Sequence, residues 1–132
     1  MNNEFVLETA NRLEGFQTRI KELHFSSFSM SLHNLVDDFG KAIKEFEDAY
    51  LELCQVTWGF IKPGELNPIL PDALEFEELL TEVRGMLVKI KKKFESDMLN
   101  SGLINRVDDF FEQVNIFIYR TRICKHQAGQ KD

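Results

Sequence analysis

A chain of 132 residues is long enough for one domain with a sizeable core. Its net charge of −6 and pI near 5.1 withhold the electrostatic footprint of a general nucleic-acid binder. No apolar run approaches the roughly twenty residues of a membrane span. Apolar residues, 43% of the chain, recur every three or four positions, which predicts an all-α fold.

The first helix is expected over about 3–25, with Leu13, Phe16, Ile20 and Leu23 as its core stripe. Gly15 interrupts it, at about 1 kcal/mol relative to Ala. The N-terminal residues lack the basic and apolar regions of a signal peptide, so a cytoplasmic chain is expected. A serine-rich connection follows. Ser29 or Ser31 is placed to cap the next helix, and Phe28 to pack over the helix ends. So short a connection makes the first two helices antiparallel neighbours.

The second helix is expected over about 30–58. Its core stripe reads Leu32, Val36, Phe39, Ile43, Phe46, Tyr50 and Leu53. Residues 59–71 hold all three prolines, Pro63, Pro68 and Pro71, and break the helix. Extended, this loop reaches about 43 to 47 Å. A flanking helix of about 27 residues is about 40 Å long. The loop can therefore run the length of a bundle and leave helices two and three parallel, the long crossover of ferritin-like bundles.

The third helix is expected over about 72–98, with Asp72 as N-cap and Glu75 completing the capping arrangement. Leu80, Val83, Leu87, Ile90 and Phe94 form its core face. Its later lysines, Lys89 and Lys91 to Lys93, read as a solvated face. Asn100, Ser101 and Gly102 predict a tight turn. The fourth helix is expected over about 103–125, packing through Leu103, Val107, Phe110, Val114, Phe117 and Thr121. Asp108, Asp109 and Glu112 read as a solvent-facing acidic patch, and the tail from His126 as frayed. Cys54 and Cys124, far apart, read as reduced packing cysteines. The seven glycines are scattered, so no phosphate loop is present. No zinc-finger spacing occurs.

One constellation carries chemistry. His33 and Asp37 are four apart, as are Asp48 and Glu52, and Asp48 follows Asp37 by eleven. On a helix the four sit at roughly 0°, 40°, 60° and 100°, a narrow stripe of imidazole and carboxylate beside the core face. Those donors suit iron, manganese or zinc. The stripe is about 28 Å long, so one helix cannot close one site from both pairs. An antiparallel second copy, crossing on a two-fold axis near Ala42 and Ile43, makes two equivalent sites.

This spacing resembles the ferroxidase signature of the Dps-like mini-ferritins. The motif covers about a third of the chain and the implied bundle nearly all of it. In that family a further histidine at the end of the preceding helix joins the site. His24 takes that place, in Leu23-His24-Phe25 where the family usually has His-Trp. The interval from His24 to His33 is shorter than is usual in the family. The resemblance implies a ferritin-like four-helix subunit in a homodimer and a hollow dodecamer. It also implies ferroxidase activity on Fe²⁺ with peroxide or dioxygen, and a stored ferric mineral. Its metal residues here are His24, His33, Asp37, Asp48 and Glu52. Some family members bind DNA through a lysine-rich tail; this tail has only Lys125 and Lys131, so no nucleic-acid or membrane partner is expected. The rival class is a helical assembly protein whose site is unused.

Overall fold

A computed structural model describes residues 2–27, 29–95 and 101–127, the side chains of residues 2, 3 and 127 apart. It has four helices: α1 (Asn2–Ser26), α2 (Met30–Trp58), α3 (Phe76–Phe94) and α4 (Ser101–Gln127). Among the described residues there is no strand. None of the helices is long and apolar enough to cross a membrane.

Cross-helix pairs give the packing. Thr9 meets Tyr50, Gln17 meets Glu47 and His24 meets His33, so α1 and α2 are antiparallel. Phe39 meets Phe117 and Phe46 meets Phe110, so α2 and α4 are antiparallel. Glu77 meets Arg122, Arg84 meets Asn115 and Lys91 meets Asp108, so α3 and α4 are antiparallel. At the centre the Phe39 ring lies 5.0 Å from Phe117 and 5.8 Å from Phe76, both edge-on. Phe46 stacks on Phe110 at 4.6 Å. These aromatic pairs add to the area they bury, at about 0.5–1.5 kcal/mol each.

The expected core faces of α3 and α4 are buried throughout. In α2 the stripe departs at its end. Leu53 is 38% exposed and Cys54 is fully buried. Measured from the middle of the Val36 to Tyr50 stripe, Cys54 lies about 40° away and Leu53 about 60° to the other side. Leu23 and Leu32 are half-buried at the edge of the core. Ser29 caps α2, its hydroxyl accepting from the Leu32 N–H at 3.1 Å. Phe28 lies outside the described residues.

Two expected boundaries move. Asp72 is not the cap of α3: the helix begins at Phe76 after Glu75, whose side chain makes no capping bond. Residues 72–75 stay with the loop because tertiary bonds hold them. Ala73 is buried, its N–H donates to Glu82 Oε2 at 3.1 Å, and its carbonyl accepts from Arg19 Nη1 at 3.1 Å. Ser101 and Gly102 do not form a turn; they open α4. His126 is helical, in the last turn of α4. The expected end of α3, near Met98, falls among residues 96–100, outside the described residues, as does Asn100.

The non-helical connection, residues 59–75, lies along α1. It starts beside Glu4, Val6 and Leu7. Further on, Asn67 N–H donates to Asn11 Oδ1 at 2.8 Å and Ile69 N–H to the Asn11 carbonyl at 2.9 Å. It ends at Ala73 on Arg19. The Ile69 carbonyl presses on the Cα of Gly15, where a Cβ would overlap it. This close approach requires the glycine.

Candidate metal centre

The turn between α1 and α2 builds one end of the site. His24 is in the last turn of α1 and His33 in the first turns of α2. The Ser29 cap starts α2 soon enough to bring the two rings to 4.0 Å between centroids. His33 Nδ1 lies 3.2 Å from the His24 carbonyl oxygen. A carbonyl only accepts, so His33 Nδ1 carries the proton and its Nε2 keeps a lone pair in the neutral ring. Such a bond fixes the tautomer of a metal-ligating histidine. His24 Nδ1 is 3.9 Å from Asp37 Oδ1. Despite the short interval, His24 lies beside His33 and within 3.9 Å of Asp37, as two pairwise contacts.

Asp48 and Glu52 do not join them. Both are exposed, further along α2. The midpoints of the two pairs are about 22 Å apart along the helix. Among the described residues no three ligating side chains gather into a group that could hold a metal ion. The single chain therefore holds two partial donor sets.

The stripe is also less uniform than the spacing of its ligands suggests. Lys41 and Lys44 lie within it, at about 80° and 20° from His33. Lys41 Nζ sits 3.4 Å from Asp37 Oδ2. Gly40 faces its own chain, where a Cβ would lie 3.3 Å from Ile20 Cγ2. The close approach it serves is between α1 and α2. Asp108, on α4, is taken by Lys91 at 2.9 Å.

Glu47, beside Asp48, is a buried carboxylate that the helical pattern left unremarked. Gln17 Nε2 donates to its Oε1 at 2.9 Å, and its Oε2 has no hydrogen-bond partner. Burial, and next the Glu14 carboxyl beside it, push its pKa up to about 8. The signal was available: Glu47 follows the core residue Ile43 by four and so continues a buried row. Tyr50 and Thr9 form a second buried polar pair, at 2.8 Å. Thr9 donates to the Val6 carbonyl, so the Tyr50 hydroxyl is the donor to Thr9. Burial likewise pushes the Cys54 thiol up to about 12, which keeps it unreactive.

Comparison of the chain with protein-family models, with curated proteins and with solved structures returns no match.

Proposed function

We propose that the chain is a ferritin-like subunit, similar to the Dps-like mini-ferritins, that binds and oxidises ferrous iron between two-fold-related copies. The observation that carries this reading is the division of the stripe. At one end of α2, His24 contacts His33 and Asp37 pairwise, while Asp48 and Glu52 stand exposed further along the same face. Two α2 helices crossing antiparallel near Ala42 and Ile43 would set the His24, His33 and Asp37 end of one beside the Asp48 and Glu52 end of the other, at both ends of the contact. The bundle supports the reading too. α4 is antiparallel to both α2 and α3, and the contacts of residues 59–75 with α1 extend from Glu4 to Arg19, which supports a long crossover.

In this reading iron is the substrate. Asp48 and Glu52 hold one Fe²⁺ together with His24 of the partner subunit. The partner's His33 and Asp37 hold a second ion more weakly or through water. Carboxylate oxygens prefer the harder Fe³⁺, which favours loss of an electron. Two ferrous ions give one electron each to peroxide, which takes up two protons and leaves as two waters; dioxygen is the other oxidant class. Zinc and manganese suit the same donors. By resemblance, a dodecamer storing ferric mineral completes the reading; the cytoplasmic location and the lack of a nucleic-acid or membrane partner rest on charge and sequence pattern.

Purification without a metal-affinity tag, followed by iron, zinc and manganese analysis and light scattering, tests binding and assembly together. Asp48→Asn is expected to abolish ferrous oxidation with helix content unchanged, because the amide keeps the shape and loses the charge. His24→Ala/His33→Ala subunits co-folded with Asp48→Asn/Glu52→Gln subunits are expected to regain part of the activity, since one site of each mixed pair is intact. Co-assembled variants that never complement would sink the two-subunit site.

The Lys41–Asp37 ion pair favours a second reading, a helical assembly protein of the same fold whose site is unused. Absence of bound metal and of ferrous oxidation in an assembled wild-type protein selects it.

A further inference from the structure

A cleft of about 220 Å³ opens between α1, α3 and residues 69–71, and no residue of α2 lines it. One wall is a face of α3, where Glu82, Gly85, Met86 and Lys89 follow at three- and four-residue steps. The other is Arg12 and Phe16 of α1, four apart. Ala73 sets the register of the two walls. Its carbonyl accepts from Arg19 and its N–H donates to Glu82 Oε2, so Arg19 and Glu82 stand at one level. The helix pairings above make α1 and α3 antiparallel. Two turns along each, about 10 Å, bring Arg12 and Lys89 to a second shared level. The cleft therefore has a cationic end, and its carboxylate, Glu82, lies at the other end on the Ala73 N–H.

Arg12 is half-buried, yet no ion pair or hydrogen bond among the described residues engages it or Lys89. A guanidinium drawn part-way out of water beside apolar walls is matched by an anion. Gly85 lies in the interior of α3, where glycine is a poor helix former, and a Cβ there would meet no atom within 4 Å. Packing does not require this glycine; its bare backbone keeps the cleft wide.

We propose that this cleft binds a small carboxylate with an apolar chain, its carboxylate on Arg12 and Lys89 and its chain against Phe16, Met86, Ile69 and Leu70. The planar fork of Arg12 matches the two oxygens of a carboxylate. Two cations against Glu82 leave one net positive charge, which suits a monoanion better than a phosphate dianion. The volume is below the roughly 300–1,000 Å³ of sites for drug-sized ligands, so the ligand is small. The inference stands apart from the iron and two-fold readings, because none of the proposed metal residues lines the cleft.

The test titrates the full chain calorimetrically with octanoate, and with octan-1-ol, acetate and phosphate for comparison. Wild type is expected to bind octanoate one-to-one and saturably, at least ten-fold more tightly than any of the other three. Arg12→Gln/Lys89→Gln is expected to weaken octanoate binding at least ten-fold with an unchanged melting temperature, since neither residue is paired in the fold. Gly85→Leu is expected to abolish binding by filling the cleft while the chain stays folded; should it unfold, the double variant decides. Octanol held as tightly as octanoate, or octanoate held unchanged by the double variant, would overturn the charge recognition. Acetate or phosphate bound as tightly as octanoate would reduce the cleft to a surface pair of cations and overturn the apolar subsite. Undiminished binding to a folded Gly85→Leu chain, or no saturable binding to wild type, would overturn the site itself.

Discussion

At Gly15 the backbone of residues 59–75 leaves no room for a side chain, because the Ile69 carbonyl occupies the place of a Cβ. Gly15→Ala would gain about 1 kcal/mol of helix propensity. It must also lift a backbone held by Asn11, and overpacking of this kind costs about 1–3 kcal/mol. The expected outcome is a lower denaturant midpoint, with faster proteolytic cutting within 59–75. A stabilised variant would show that the loop yields. Glu47 makes a different prediction. Its raised pKa means that the folded chain holds the proton more tightly than the unfolded chain. The contribution to stability is therefore full below the ordinary value of 4.5 and is lost as pH rises through about 8. Melting temperature is expected to fall across that window, and Glu47→Gln to flatten the fall by keeping a neutral group there. An unchanged slope in the variant assigns the effect to other groups.

Among the elements, the start of α2 matters most to the candidate site. Ser29 satisfies the Leu32 N–H, and the same turn holds His33 Nδ1 against the His24 carbonyl. Ser29→Ala is expected to cost about 1 kcal/mol in denaturant unfolding. It is also expected to weaken metal binding to His24 and His33, measured by titration with Mn²⁺, since a frayed turn no longer sets the two rings side by side. A normal Mn²⁺ titration in a destabilised variant would separate the cap from the site. Lys91 to Lys93 close α3 at the end where the dipole favours cations, and Glu77 and Glu78 sit in its first turn. Lys91 reaches Asp108, and Lys93 lies over the Phe5 ring at 5.6 Å.

Across the whole molecule, stability is concentrated where α2, α3 and α4 meet on Phe39. That ring is fully buried against Phe76, Phe110 and Phe117. Phe39→Ala is expected to cost about 3–5 kcal/mol. That is a large share of the roughly 5–15 kcal/mol that holds a domain together. Phe60, 82% exposed in the connection, is the control, and Phe60→Ser is expected to move the unfolding midpoint little. Comparable losses at both positions would contradict the core as described.

Helix number, helix type and the buried faces were legible in the sequence, because a 3.6-residue period writes the core onto every third or fourth position whatever the partner. Leu80 to Phe94 and Leu103 to Thr121 are buried as that period requires. The break in the middle was legible for an equally local reason, since proline cannot continue a helix. Residues 72–75 show where local rules stop. Asp72 has the chemistry of a cap, yet bonds from Arg19 and Glu82 hold the adjoining backbone out of the helix. The same holds for Glu47, an ordinary charged residue in sequence that becomes a buried carboxyl only because Gln17 and Glu14 close over it from α1. Of the candidate site, the spacing of Asp37, Asp48 and Glu52 on one face follows from helix geometry alone. That His24 lies beside His33, and that Lys41 engages Asp37, depends on how the α1–α2 turn folds back, which no period along one helix encodes.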